Sequence, residues 1–167
     1  MTIDLAEFKR LFLAMMQNKD NRFHPLVWIN GDPEVGEGTY IGGLSEINAK
    51  GARVVIGRDC DIASFVAINV ADSHKRAIGI GEKLDIRDIA IGDNVFIGSH
   101  CVILGGTVIG HNSVVAAGTI LRGEKIPPFS LAIGNPVVIK PAYYRADYVA
   151  KFGNADPAAM KRKTPPA

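Results

Sequence analysis

Three neighbouring residues, Asp72, Ser73 and His74, have types and spacing suited to proton transfer. An imidazole with a pKa near neutrality can take a proton from an attacking hydroxyl or ammonium at physiological pH. Asp72, or a backbone carbonyl, can hold the other ring nitrogen and fix the tautomer. The plainer alternative for His74 is a solvated loop histidine. His100 and His111, 11 residues apart, read as corner or subunit-interface residues, with His100 also a possible neighbour of the reactive group. Cys60 and Cys101 belong to no CxxC pair or metal-like cluster and have no evident base partner, so they read as reduced, buried and inert.

The elements that must position these residues follow from periodicity. From Asp4 to Asn18, Leu5, Phe8, Leu11, Phe12, Met15 and Met16 recur at spacings of three and four, the mark of one face of an amphipathic helix. Arg22 to Gly31, with Pro25 and the only tryptophan, Trp28, reads as an extended lead-in. A six-residue repeat then sets in. Val35, Ile41 and Ile47 are six apart, as are Ile56, Ile62 and Ile68. Ile91, Ile97, Ile103, Ile109, Val115 and Leu121 form an unbroken run. Glycine often follows the aliphatic, relieving crowding where the chain turns, and a small or β-branched residue commonly comes four later, as at Thr39, Cys60, Cys101 and Thr119.

Three such hexapeptides make three short strands of a triangular prism, with the aliphatics on its axis. Ile91 is expected to stack on Ile109, Ile97 on Val115 and Ile103 on Leu121, at the ~4.8 Å strand spacing. No coil buries its own face, so stability comes from stacking. The register slips twice: nine residues separate Ile47 from Ile56, a bulge at Ala49–Arg53, and 23 separate Ile68 from Ile91. Spacing leaves open whether 72–88 is an excursion or an irregular coil. The repeats are expected to end after Leu121, and Ala142–Phe152 to form a helix blocking the open end. The fold class is thus an all-β solenoid with terminal helices, one domain over 1–167: helix and lead-in 1–31, prism 32–140, helix and tail 141–167.

A net charge of +2 with 22% charged residues suggests neither nucleic acid nor membrane as a partner. Lys161–Lys163 reads as a solvated tail. No signal peptide or membrane span is evident, so a cytoplasmic location is expected by elimination.

Together the block Ile91 to His100, then Ile109-Gly110-His111-Asn112, Ile126-Pro127-Pro128 and Gly134-Asn135-Pro136, resembles the hexapeptide-repeat acyltransferases. It is closest to the branch of galactoside, maltose, xenobiotic and O-antigen sugar acetyltransferases. The resemblance covers roughly 35–140. It implies a left-handed parallel β-helix, an exception to the usual hand of parallel crossovers. It also implies a homotrimer with active sites between prisms, acetyl-CoA as co-substrate, no metal, and a small-molecule sugar acceptor.

The resemblance makes His74 the general base, steadied by Asp72, with a backbone N–H for the oxyanion. It places the pantetheine arm of CoA along Gly98, Ser99, Ala117 and Arg122, with Gly134 and Pro136 permitting close approach and Lys140 meeting the nucleotide phosphates. The asparagine that usually meets the acceptor has no clean match among Leu44, Ser45, Glu46 and Asn48. Glu46 and Asn48 are therefore the substrate-binding candidates. A carboxylate at Glu46 or Asp72 can attract an ammonium, so the expected reaction is N-acetylation of a nucleotide-linked amino sugar in surface-polysaccharide (lipopolysaccharide) synthesis. Alternatives are O-acetylation of a sugar or xenobiotic, a non-catalytic assembly module, and a zinc enzyme like the γ-class carbonic anhydrases. That last class needs two histidines five apart, a spacing that His100 and His111 do not have.

Overall fold

The computed structural model describes residues 4–15, 22–24 and 26–155. Helix α1 (Leu5–Met15) starts where Asp4 Oδ1 accepts the Glu7 N–H at 2.7 Å, an N-terminal cap. Only Leu13 of this helix is buried, and the apolar residues Leu5, Phe8, Leu11 and Met15 remain exposed. The expected stripe therefore finds little cover within one chain. Phe12 is the anchor, meeting the Trp28 ring edge-on at 6.4 Å. The expected helix end at Asn18, Pro25 and the basic run at 161–163 lie outside the described residues.

The chain then winds through five coils. Coil one holds β1 (Trp28–Asn30), β2 (Glu34–Val35) and β3 (Tyr40–Ile41). Coil two holds β4 (Glu46–Asn48), β5 (Val54–Ile56) and β6 (Asp61–Ile62). Coil three begins with β7 (Ala67–Asn69), leaves the prism through β8 (Ala71–Asp72), α2 (His74–Ala77) and β9 (Asp85–Ile86), and resumes with β10 (Ile89–Ile91) and β11 (Phe96–Ile97). Coil four holds β12 (Val102–Leu104), β13 (Val108–Ile109) and β14 (Val114–Val115), and coil five β15 (Ile120–Leu121), β16 (Lys125–Ile126) and β17 (Leu131–Ile133). β18 (Val138–Lys140) pairs antiparallel with β17, and α3 (Arg145–Phe152) follows.

Each coil contributes one strand to each of three walls: β1-β4-β7-β12-β15, β2-β5-β10-β13-β16 and β3-β6-β11-β14-β17, the last extended by β18. Within each coil the first corner joins wall one to wall two and the second joins wall two to wall three. The third corner leads to the next coil. The expected stacking holds, with Ile91 on Ile109, Ile97 on Val115 and Ile103 on Leu121. These six residues are at most 3% exposed and belong to one continuous core.

The residue four after the aliphatic points inward at a corner, where a polar atom needs a partner. Thr39 donates to Gly57 O at 2.7 Å, Ser45 to Ala63 O at 3.1 Å and Thr119 to Ala116 O at 2.6 Å. Cys60 and Cys101 occupy the same repeat position, their thiols directed at Gly92 O and Ala116 O. Burial raises both thiol pKa values above the ordinary range, in keeping with inert residues.

Four sequence expectations change. The first strand begins at Trp28 instead of 32, because the lead-in backbone pairs in register with β4. The repeats run past Leu121: Ile126 and Ala132 continue the inward columns as partners of Ile109 and Val115, after a five-residue step that hid the periodicity. The C-terminal helix begins at Arg145, three residues late, after the turn through Ala142 at φ 54. The crowding at the post-aliphatic glycine is real, but the left-handed backbone falls two residues later, on His100, Asn94 and Asn112. A Cβ at Gly98 would stand 2.5 Å from Ala117 N, so that glycine serves the close approach of coils.

The open question of 72–88 resolves as an excursion. β8 and β9 form a two-stranded antiparallel ribbon that leaves at the first corner and returns to the same coil. The Ala49–Arg53 bulge lies at the same corner one coil below. A Cβ on Gly51 would lie 3.2 Å from Ile86 Cδ1, so the bulge supports the ribbon's base. Arg53 N–H donates to Asp88 Oδ1 at 2.8 Å on the returning strand.

Candidate functional site

His74 opens the short helix α2 at the far end of the ribbon. Asp72 Oδ1 accepts from the His74 backbone N–H at 2.9 Å and lies 2.7 Å from its ring Nδ1. A carboxylate only accepts, so this contact puts a proton on Nδ1 and leaves the lone pair of the neutral ring on Nε2. The backbone and ring hydrogen bonds of His74 hold the Asp72 carboxyl below its usual range. The two side chains are 54% and 50% exposed, so Nε2 is open to a molecule arriving from solvent. The arrangement suits a general base whose orientation is set in advance.

Asp85 stands directly opposite Asp72 across the ribbon. Like charges at such positions repel. Arg87 offsets this, with its Nε 3.5 Å from Asp85 Oδ1, and its charge also helps keep Asp72 ionised. Asp85 and Arg87 escaped sequence reasoning, because 72–88 has no period from which to pair strands.

A second group lines the third corner. Gly98 lies against Ala117, and Ser99 O accepts from Gly118 N–H at 2.9 Å. One coil on, Gly134 N–H donates to Thr119 Oγ1 at 3.0 Å and leads into the cis Asn135–Pro136 bond. The edge is open, since a Cβ at Gly118 would meet nothing within 4 Å. Arg122 starts at the first-corner end of β15 and reaches back so that its Nη1 donates to Asn135 Oδ1 at 3.0 Å. Gly98, Ser99, Ala117, Gly134 and Pro136 thus share one edge that Arg122 reaches across wall one. Lys140 stands apart at the far end of β18, opposite Leu131, its ammonium 5.6 Å from the Tyr143 ring centre.

The remaining candidates separate. Asn48 gives its amide to Asn69 Oδ1 at 3.0 Å and accepts the Lys50 N–H, so it is engaged in a ladder at the first corner. Glu46 points outward from β4 into a cleft beside Phe12 and Trp28. His74, His111 and His100 lie at the first, second and third corners respectively, and the rings of His100 and Phe65 stack at 4.8 Å. Phe65 was missed, although Leu44, Phe65 and His100 each fall three residues after an inward aliphatic and share φ near +60°. Among the described residues no group of three or more His, Cys, Asp or Glu could hold a metal, and no helix is long and apolar enough to cross a membrane.

Comparison with known proteins matches residues 88–122 to the family model described as the hexapeptide repeat of succinyl-transferase. A putative acetyltransferase of Saccharomyces cerevisiae is 38% identical over 112 residues, covering 62% of this chain and 55% of that protein. Galactoside O-acetyltransferase of Escherichia coli is 42% identical over 85 residues, covering 50% of this chain and 41% of that one. The chain thus spans about half or less of the length of these relatives. A solved galactoside acetyltransferase in complex with coenzyme A superposes with a TM-score of 0.56 at 28% identity, over 88% of this chain and 86% of that one. The shared fold is the left-handed parallel β-helix.

Proposed function

Because the chain belongs to the hexapeptide-repeat acetyltransferase family, we propose that it transfers an acetyl group from acetyl-CoA to a saccharide, with His74 as the general base. The observation that carries this reading is the Asp72–His74 pair, half exposed and oriented so that Nε2 is the free basic nitrogen. The acceptor is a nucleotide-linked amino sugar, N-acetylated in cytoplasmic synthesis of surface polysaccharide. Asp72 and Asp85, opposed beside His74, favour an acceptor that arrives as an ammonium.

The open third corner fits the co-substrate, with the backbone of Gly98, Ser99 and Ala117 along the arm and Gly134, Pro136 and Arg122 beyond it. Lys140, a strand's length from that edge, would meet only the distal phosphate end of an extended co-substrate. Bound acetyl-CoA supplies an activated thioester carbonyl. His74 Nε2 takes a proton from the acceptor ammonium, which frees the nitrogen lone pair to bond to that carbon, and a backbone N–H on the open edge steadies the oxyanion. As the C–S bond breaks, the second proton that the nitrogen must lose passes to the leaving sulfur, and the proton on His74 is released to solvent. Direct transfer suits this chain, since both thiols are buried and protonated.

His74 and the Ser99–Ala117 edge flank opposite margins of wall one, and a second copy would bring the one against the other. A homotrimer with sites between prisms has that arrangement. It would also cover the exposed apolar face of α1. O-acetylation is the second reading, favoured by the 42% identity to the galactoside enzyme.

The test is release of free CoA thiol with a panel of nucleotide-linked amino sugars, glycosides and hydroxylated antibiotics, run beside His74→Ala and with sedimentation of the native protein. Acceptor-dependent release that collapses in the variant is the expected result. Release that survives moves the base elsewhere. No release with any acceptor favours a non-catalytic assembly module.

A further inference from the structure

The cleft beneath α1 carries a feature that the repeat does not require. Outward-facing residues of wall one form a column in register: Trp28, Glu46, Ala67, Val102 and Ile120. Glu46 is the single charge in this otherwise apolar column. Its carboxylate makes no hydrogen bond or ion pair among the described residues, and it stands one strand from the indole. The cleft, of about 310 Å³, is completed by Phe12, Leu26, Leu44 and Ser45. Its walls are tied down: Trp28 N–H donates to Ser45 O and Leu44 N–H to Leu26 O, both at 2.9 Å, and Phe12 packs edge-on to the indole.

An aromatic wall beside an unpaired carboxylate matches a particular chemistry. A pyranose ring has an apolar C–H face that can lie on an indole, and hydroxyls on its rim that donate to a group able only to accept. A cleft of this size, mostly apolar with one convergent polar group, has the character of a small-molecule site. Its position agrees. Leu44 and Ser45 lie on the third corner two coils before Ser99, roughly 10 Å along the axis at the strand spacing. Phe65 lies in between, its ring stacked on that of His100, the neighbour of Ser99.

We propose that this cleft binds a neutral pyranose unit of the acceptor, with its C–H face on Trp28 and adjacent hydroxyls donated to Glu46. As an acceptor subsite the assignment rests on the O-acetylation reading, in which the acceptor is a neutral glycoside, whereas binding in the cleft can be measured without it.

Trp28 is the only tryptophan, so its emission reports the cleft alone. The full-length protein, without acetyl-CoA, is titrated with methyl glycosides of glucose, galactose and N-acetylglucosamine, and with choline. The expected result is a saturable emission change with at least one glycoside, weakened tenfold or more in Glu46→Ala. That variant should keep the wild-type circular dichroism and Tm, because Glu46 is exposed. No change with any glycoside, an unaltered response in Glu46→Ala, or a response to choline alone overturns the proposal. If acetyl transfer to a glycoside proceeds while Trp28 is silent, the cleft fails and the acetyltransferase reading survives. If Trp28 responds but no acceptor is ever acetylated, the cleft stands and that reading falls.

Discussion

The first and third corners of the prism are built from the same repeat and have diverged in opposite directions. At the first corner the six-residue step is broken three times: by the bulge after Asn48, by the ribbon after Asn69 and by the shortened step between Leu121 and Ile126. The third corner keeps its step from coil to coil, with Leu44, Phe65, His100 and Gly118 all at positive φ in equivalent places. Irregularity lets a side chain leave the surface, as His74 does. Regularity produces a straight open edge on which an extended molecule can lie against backbone. The core tolerates this division because the inward aliphatics keep their columns through every break.

Substitutions on the two corners should therefore separate rate from stability. His74→Ala is expected to lower acetyl transfer by about 10²–10⁴-fold. Its Tm should stay within about 2 °C of wild type, as for a half-exposed surface residue. A Tm loss comparable to that of a core variant would undo the contrast. Asp72→Asn should cost about 10²-fold, because an amide can donate to Nδ1 and so move the ring proton to Nε2.

Asp72 also sets a pH dependence. Its folded pKa is depressed, so the hold of its carboxylate on His74 is complete above the ordinary carboxyl pKa of about 4 and is lost as pH falls through the lowered value. The His74 ring resonances should report a step below about pH 4 in the wild type that is missing in Asp72→Asn.

On the third corner, Gly98→Val forces coils apart where a Cβ already meets Ala117 N at 2.5 Å. A loss of about 1–3 kcal/mol, or about 2–12 °C in Tm, is expected in a melting scan, together with weaker acetyl-CoA binding. The smallest effect should come from Ile86→Ala, which frees the ribbon from Gly51. Transfer should slow by less than about tenfold with Tm nearly unchanged. A Tm drop as large as that of Gly98→Val would show that the ribbon supports the prism.

Much of the prism was legible because its signal is local. An aliphatic every six residues places Ile91, Ile97 and Ile103 on three walls and predicts their partners without any knowledge of distant contacts. The same logic failed at Trp28, where pairing with β4 makes a strand from a segment without a repeat, and at Ile126, where one missing residue breaks the count. Asp72 and His74 were legible as a pair because two residues of separation guarantee proximity. Asp85, 13 positions further on, was not. It reaches Asp72 only through strand pairing, which an aperiodic segment does not announce. Phe65 lay within reach, since counting three residues from each aliphatic at the third corner finds it.

The sequence by itself determined the repeat, the inward columns, the identity of the candidate base and the fact that something interrupts coil three. Only the tertiary structure decided which corner each group occupies. Corner identity depends on the running sum of every insertion before it, and on whether a long interruption turns out of the prism or around it. That choice put His74 and the Ser99–Ala117 edge on opposite margins of one wall, and set Glu46 beside Trp28 from a strand 18 residues away.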